Sequence, residues 1–330
     1  MTRNAERGRL SRRLLRSGAV STAAPLPSVV YIGGTGRSGS TLLARLLSDV
    51  PGVVAVGELR YVLDRGLTQD HLCGCGLPFR SCPFWAEVFR LALPDGVGDG
   101  EIARLDALRR GVDRNRYIVW HLFPRLRTRR FQQRLDAYAS YLAALYSAIA
   151  TVSRGSVIVD SSKDPSYAFV LHATGRLDLG ILHLLRDSRA VAFSWTRPKV
   201  RPEVHSHVAH MATRTPTRSG ALWTGYHLLF EWLERHATRF RRVRYEDFVA
   251  EPERSLADIV RWLAPETDAA HPGTGVVHDI SGNPLRFETA PLAVRSDDEW
   301  VAAMPARDFR IVTALTAPLL RRYGYRRART

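Results

Sequence analysis

Val29-Val30-Tyr31-Ile32-Gly33-Gly34-Thr35-Gly36-Arg37-Ser38-Gly39-Ser40-Thr41-Leu42-Leu43 decides how this chain folds. Its first four residues are a short apolar run rich in β-branched side chains, which suits a strand buried on both faces. Glycines and small hydroxyl residues follow. Leu42, Leu43, Leu46 and Leu47 then recur at helical spacing until Pro51-Gly52 stops the helix. The pattern predicts strand, glycine loop, helix. Such a loop turns backbone N–H groups toward a helix start, where the helix dipole also favours an anion. Ser40 and Thr41 add hydroxyls to the same place.

Outward from this loop the alternation repeats. Val53–Val56 is a second short strand ending at Gly57-Glu58, and Val157-Ile158-Val159 is a third, ending in Asp160-Ser161-Ser162-Lys163-Asp164-Pro165. Ile181–Leu185 ends in Arg186-Asp187 and leads to a helix from about Ser188 that carries Ser194. Val243-Arg244-Tyr245 is a last strand, and Glu246-Asp247 opens the next helix. Residues 101–150 read as mainly helical, with Leu135, Tyr138, Tyr141, Leu142 and Leu145 on one face. Residues 197–218 read as a polar loop, about 220–237 as a helix, and 271–290 as a loop before closing helices.

Short apolar strands alternating with helices imply an α/β fold: a P-loop-type central parallel β-sheet flanked by helices on both faces. The expected organisation is one large domain over 28–320 with a helical, cysteine-bearing insertion at 61–155. A basic arm (1–27) and a basic tail (321–330) flank it. In such sheets ligands bind beyond the carboxyl ends of the strands. The glycine loop, Glu58, Lys163, Arg186 and Tyr245 all fall there.

Composition narrows the function. The 330 residues carry 48 Lys+Arg against 32 Asp+Glu, a net charge of +16. With 45% hydrophobic and 24% charged residues the chain is neither disordered nor fibrous. No apolar run approaches the ~18 residues of a membrane span, and three cysteines cannot build a disulfide framework. Residues 1–20 and 321–330 hold 10 of the 16 net charges. The remaining +6 suits an anionic ligand. Aromatic interleaving and nucleic-acid-binding signatures are absent, so no nucleic-acid partner is expected, though the basic ends suit weak association with acidic surfaces. Ser11–Arg16 faintly resembles a twin-arginine export signal. The stretch after it is short, broken by Pro25 and Pro27, and runs straight into the first strand, which favours a basic arm and a cytoplasmic protein. Among the 48 basic residues, Lys163 and Lys199 alone are lysine, a compact charge that can give up a proton where arginine cannot.

The loop itself has the outline Gly34-x-x-x-x-Gly39-Ser40-Thr41 of a nucleoside-triphosphate loop, with Ser40 where the phosphate-binding lysine belongs. That substitution argues against an ATPase, GTPase or kinase. A small-molecule kinase is still the rival within this fold, and a non-enzymatic arginine-rich nucleic-acid-binding protein is the rival outside it.

Several segments together resemble a known family. Arg37-Ser38-Gly39-Ser40-Thr41 resembles the 5′-phosphosulfate loop of sulfotransferases that use 3′-phosphoadenosine 5′-phosphosulfate (PAPS). Leu185-Arg186-Asp187-Ser188-Arg189-Ala190 with Ser194 resembles their 3′-phosphate motif, and Val243–Phe248 with Pro252–Leu256 a third family segment. The order loop Arg, Gly57-Glu58, Lys163-Asp164-Pro165, Arg186…Ser194 is similar to that of tyrosylprotein sulfotransferases and related bacterial enzymes.

The resemblance implies transfer of a sulfuryl group from PAPS, as co-substrate and without a metal, to a hydroxyl on a small metabolite, carbohydrate or phenol. Secondary metabolism is the implied setting. Glu58 is the implied base; proximity to the hydroxyl suffices for it, with burial expected to raise its pKa. Lys163 is the implied stabiliser of the leaving phosphosulfate. Gly36, Arg37, Ser38, Gly39, Ser40 and Thr41 would cradle the 5′ end, and Arg186 with Ser194 would grip the 3′-phosphate. Tyr245 lies near the nucleotide or is a buried strand-end tyrosine. Ser281, Asn283 and Arg286 belong to a segment that closes over the 3′-phosphate and sulfuryl group. A further family arginine falls on Pro198, with Arg197 or Lys199 as substitutes. His71-x-Cys73-x-Cys75-x6-Cys82 offers four zinc-type ligands, but the Cys-x-Cys gap is tighter than usual. Reduced buried thiols or a cysteine pair stapling the loop are expected instead. His205, His207 and His210 read as a solvated loop, with lining of the acceptor pocket as the alternative.

Overall fold

The computed structural model describes residues 27–263, 277–288 and 294–325. The basic arm up to residue 26 and the tail from 326 lie outside them. Five strands form one sheet: β1 (Ser28–Gly34), β2 (Val53–Gly57), β3 (Val157–Lys163), β4 (Asp178–Leu185) and β5 (Arg239–Arg244). Their order is β2-β3-β1-β4-β5 and every pairing is parallel. The apolar run of β1 shows why. Val29 and Tyr31 belong to one core layer, and Val30 and Ile32 to the other. Alternate side chains point to opposite faces, and both faces are covered.

One layer holds α1 (Ser40–Ser48), whose Leu42, Leu43 and Leu47 pack on Val30 and Ile32. The other holds the three longest helices between β2 and β3, namely α2 (Pro83–Ala92), α3 (Asp99–Val112) and α4 (Arg129–Ser153), together with α5 (Pro165–Thr174). All five apolar residues assigned to one face of 101–150 are buried on α4. From β3 the chain crosses β1 to place β4 on its far side. That reversal of order is beside the carboxyl end of β1, where the glycine loop begins, and such switch points open a crevice. α6 (Ser188–Thr196), α7 (Pro216–Glu234), α8 (Tyr245–Ala250), α9 (Pro252–Leu263) and α10 (Ala306–Arg322) complete the cover.

Two elements differ from the sequence reading. β3 continues through the polar Asp160-Ser161-Ser162-Lys163, because its polar atoms are satisfied inside. Ser162 N and Oγ donate to Asp160 Oδ1 at 2.8 and 2.5 Å, and Tyr146 donates to Asp160 Oδ2 at 2.6 Å. The last strand is Arg239–Arg244, and Tyr245 is the first residue of α8 rather than a strand end. Its arginine-rich sequence is tolerated because β5 is at a sheet edge, where charged side chains reach water. α10 runs to Arg322, and Tyr323 and Tyr325 beyond it are buried with their hydroxyls donated to Glu231 and Glu246.

Candidate active site

A cleft of about 640 Å³ opens at the carboxyl ends of the strands, beside the glycine loop. Glu58 follows β2, Lys163 ends β3, the loop follows β1, and Arg186 follows β4. All four line the same cleft.

Gly39 caps α1 in the left-handed conformation (φ 87°), and a Cβ there would lie 2.4 Å from Tyr245 Cδ2. Only glycine satisfies both demands. Gly36 is similarly roofed by Trp195, whose indole N–H donates to its carbonyl at 3.2 Å. Arg37, Ser40 and Thr41 line the cleft, whereas Ser38 turns inward, its hydroxyl 3.0 Å from that of Thr35.

Lys163 donates to Glu58 Oε1 at 2.6 Å and to the Ser161 carbonyl at 2.7 Å. Arg65 stands 3.7 Å from the other Glu58 oxygen, which also accepts from Ser281 at 3.3 Å. Burial alone would push the Glu58 carboxyl up, but Lys163 and Arg65 hold it below the ordinary glutamate range. The expected upward shift is therefore reversed, because the buried carboxylate has an ammonium in direct contact. Arg37 and Lys163, which line the cleft, and Ser281, which is buried behind it and donates to Glu58, all hold positive φ (72°, 67° and 61°), an uncommon conformation for side-chain-bearing residues.

Arg186 donates to the Arg37 carbonyl at 2.8 Å and to Asp297 at 2.7 Å, with its guanidinium 4.5 Å over the Tyr245 ring. Its Nε and Arg37 Nη2 are buried with no hydrogen-bond partner among the described residues. Burial, then the Arg214 charge, pull the Arg37 pKa down. Asp187 serves the scaffold, capping α6 and holding Arg189 bidentately. Ser194 and Tyr245 line the cleft.

From the C-terminal segment Asn283 lines the cleft, its backbone N–H donating to Thr41 Oγ1 at 3.3 Å. Arg286 does not. It is fully buried, paired with Asp279 at 2.7 Å, and donates to the Leu72 carbonyl at 2.6 Å. Both lysines of the chain line the cleft. Arg197 instead pairs with Glu299 away from it. His210 lines the cleft, while His205 and His207 are exposed and do not.

Sequence reasoning missed Tyr61, Arg65, Trp195, Arg201, Arg214, Tyr226, Arg295 and Asp297, all part of the lining. Arg37 and Arg214 both sit over the Trp195 ring, at 5.0 and 3.7 Å. No local signal separates Arg214 from the many other arginines. The lining carries eight cationic side chains against three carboxylates, a net positive charge that favours an anion. The thiols also have a different companion from the one expected. His278, not His71, joins Cys73, Cys75 and Cys82, and His71 lies instead by Arg201 at 3.5 Å.

No helix among the described residues is long and apolar enough to cross a membrane. No curated protein matches the chain in sequence. Among solved structures it is similar to a sulfotransferase domain from the curacin biosynthetic pathway (17% identity, TM-score 0.48, covering 90% of this chain and 98% of that one). It is also similar to a sulfotransferase from Alicyclobacillus acidocaldarius (15% identity, TM-score 0.33, covering 87% and 95%). The model of the sulfotransferase family matches residues 85–268, a span that takes in the strand ends bearing Lys163 and Arg186 and the helix of Ser194. With more than half of the 330 residues matched, the chain belongs to the sulfotransferase family.

Proposed function

We propose that the chain transfers a sulfuryl group from PAPS to a hydroxyl of a small-molecule, carbohydrate or phenolic acceptor, releasing adenosine 3′,5′-bisphosphate. One observation carries this reading: the Glu58–Lys163 pair shares a cleft with two buried guanidinium nitrogens, Arg37 Nη2 and Arg186 Nε, that lack partners among the described residues. Buried donors of this kind are costly unless a ligand takes them up, and charged donors select an anion. Family membership supplies the reaction class.

The glycine loop, at the start of α1, offers backbone N–H groups and the Ser40 and Thr41 hydroxyls to the 5′ end. Arg186, stacked on Tyr245, and Ser194 hold the 3′-phosphate. Lys163 neutralises the charge that gathers on the bridging oxygen as the S–O bond to phosphate breaks, its electron pair staying with the phosphate. A new S–O bond forms to the acceptor oxygen, whose proton passes to Glu58. In the free protein Lys163 keeps Glu58 ionised but weakly basic; an anion that draws Lys163 away restores its basicity. Tyr61, Tyr226 and the 197–214 segment line the acceptor side. Arg286 contributes by fixing its own segment rather than by touching the nucleotide.

Calorimetry and thermal melts test the nucleotide. Adenosine 3′,5′-bisphosphate raises Tm well above the shift given by equal ATP, as linkage to a tighter ligand requires. Equal shifts would overturn the 3′-phosphate assignment and revive the kinase reading. Arg186→Ala weakens bisphosphate binding by about 1.5–3 kcal/mol, roughly tenfold to a hundredfold. Unchanged affinity would place Arg186 outside the site.

A further inference from the structure

The segment Leu72-Cys73-Gly74-Cys75-Gly76-Leu77-Pro78 folds as a tight knuckle. Leu72 bridges Pro78, the Cys73 N–H donates to the Leu77 carbonyl at 2.8 Å, and Gly76 turns the chain with φ 87°. Cys82 stands at the start of α2, and all three cysteines are free thiols. His278 comes from the other end of the chain, its ring stacked on Phe84 at 4.8 Å and nearly parallel to it. Its Nδ1 lies 3.3 Å from Cys82 Sγ and 3.9 Å from Cys73 Sγ, and Cys75 Sγ lies 3.7 Å from Cys82 Sγ. All four ligand atoms fall within 4.8 Å of one another.

A tetrahedral zinc with bonds of about 2.3 Å to sulfur and 2.0–2.1 Å to nitrogen has S···S edges of about 3.8 Å and S···N edges of about 3.5 Å. The Cys82–His278, Cys73–His278 and Cys75–Cys82 separations are close to those edges, the others reach no more than 4.8 Å, and no cysteine pair is bonded at the ~2.05 Å of a disulfide. Apolar packing has no reason to turn three thiols and one imidazole nitrogen toward a single point.

We propose that Cys73, Cys75, Cys82 and His278 form a structural Cys3His zinc site. The soft thiolate set suits zinc, and four protein ligands leave no open position for substrate. Each thiol releases its proton to solvent as it binds, and His278 binds as the neutral ring. This departs from the expectation of reduced or paired thiols without metal.

The site clamps the knuckle to the segment behind the cleft. Gly74 N–H donates to the Asp279 carbonyl at 3.0 Å, and a Cβ on Gly74 would lie 2.3 Å from Asp279 Oδ1. Arg286 ties Asp279 to the Leu72 carbonyl. Two residues past Asp279, Ser281 donates to Glu58. The metal therefore holds a positioning segment without touching the reacting groups.

Elemental analysis of the full-length protein, purified without chelator after zinc-supplemented growth, tests this. One zinc per chain is expected, with the thiols shielded from a thiol reagent until a chelator is added. Cobalt exchanged into the site gives the intense visible spectrum of tetrahedral thiolate coordination. Cys82→Ser and His278→Ala lose the zinc, while His71→Gln keeps it. The wild type alone decides should a variant fail to fold. Background zinc with freely reactive thiols, or a cysteine pair found oxidised by mass spectrometry, would overturn the site.

Discussion

Glu58 and Lys163 touch at 2.6 Å with side chains only 11% and 13% exposed. A carboxylate so placed is ionised well into acid, so the acid limb of kcat/KM, which reports the free enzyme, lies below the ordinary glutamate value of about 4.3. The limb of kcat, which reports the bound state, lies higher, because Lys163 then serves the donor. A kcat/KM limb near the histidine range would assign the base to another group. Glu58→Gln lowers kcat by about 10²–10⁴-fold, the usual contribution of a general base, and leaves bisphosphate affinity nearly unchanged. Survival of activity would remove Glu58 from the role. At this scale both residues were legible as polar punctuation at strand ends. Their contact was not, since it joins side chains 105 residues apart.

Among the elements, the glycine loop depends on a roof from α8. Gly39→Ala meets both the left-handed backbone and the Tyr245 ring, and destabilises the fold by about 1–3 kcal/mol while weakening bisphosphate binding. In Gly39→Ala/Tyr245→Ala the steric part returns and the backbone part does not, so stability recovers incompletely. Urea midpoints of the three proteins check this, and an undisturbed single variant would mean that the loop does not need its αL residue. The loop was readable because glycine spacing and leucine periodicity are local. β5 was misplaced because Arg239-Phe240-Arg241-Arg242-Val243-Arg244 looks polar until the edge position of its strand is known.

Over the whole molecule, a buried histidine pair couples folding to pH. His183 Nε2 and His227 Nδ1 lie 2.6 Å apart between β4 and α7. Burial, then the neighbouring His227, hold His183 well below its ordinary pKa, and burial takes His227 down to about 3. The unfolded chain protonates these rings near pH 6.5 while the folded one does not, so their stabilisation is complete above about 6.5 and is lost as pH falls toward 3. By pH 5 the loss is about 2 kcal/mol per ring. Asp160, pushed up to about 6 by burial, works in the opposite sense, as do the Asp164, Glu246 and Asp279 carboxyls that burial raises, whereas His71, His121 and His172, lowered by burial, work in the same sense as the pair. The pair's share is read by difference: between pH 7.5 and 5 the urea midpoint of the wild type loses more, relative to its value at pH 7.5, than that of His183→Leu/His227→Leu, and parallel profiles of the two proteins would refute the coupling. The sequence by itself determined the parallel α/β fold and the strand ends that carry the chemistry, because buried strands, glycine turns and helical spacing are written in neighbouring residues. Only the tertiary structure decided the strand order, the Glu58–Lys163 contact, the withdrawal of Arg286 into a buried pair, and the choice of His278 over His71 beside the thiols. Those outcomes depend on contacts between distant segments, and a surplus of arginine gives each candidate the same local appearance.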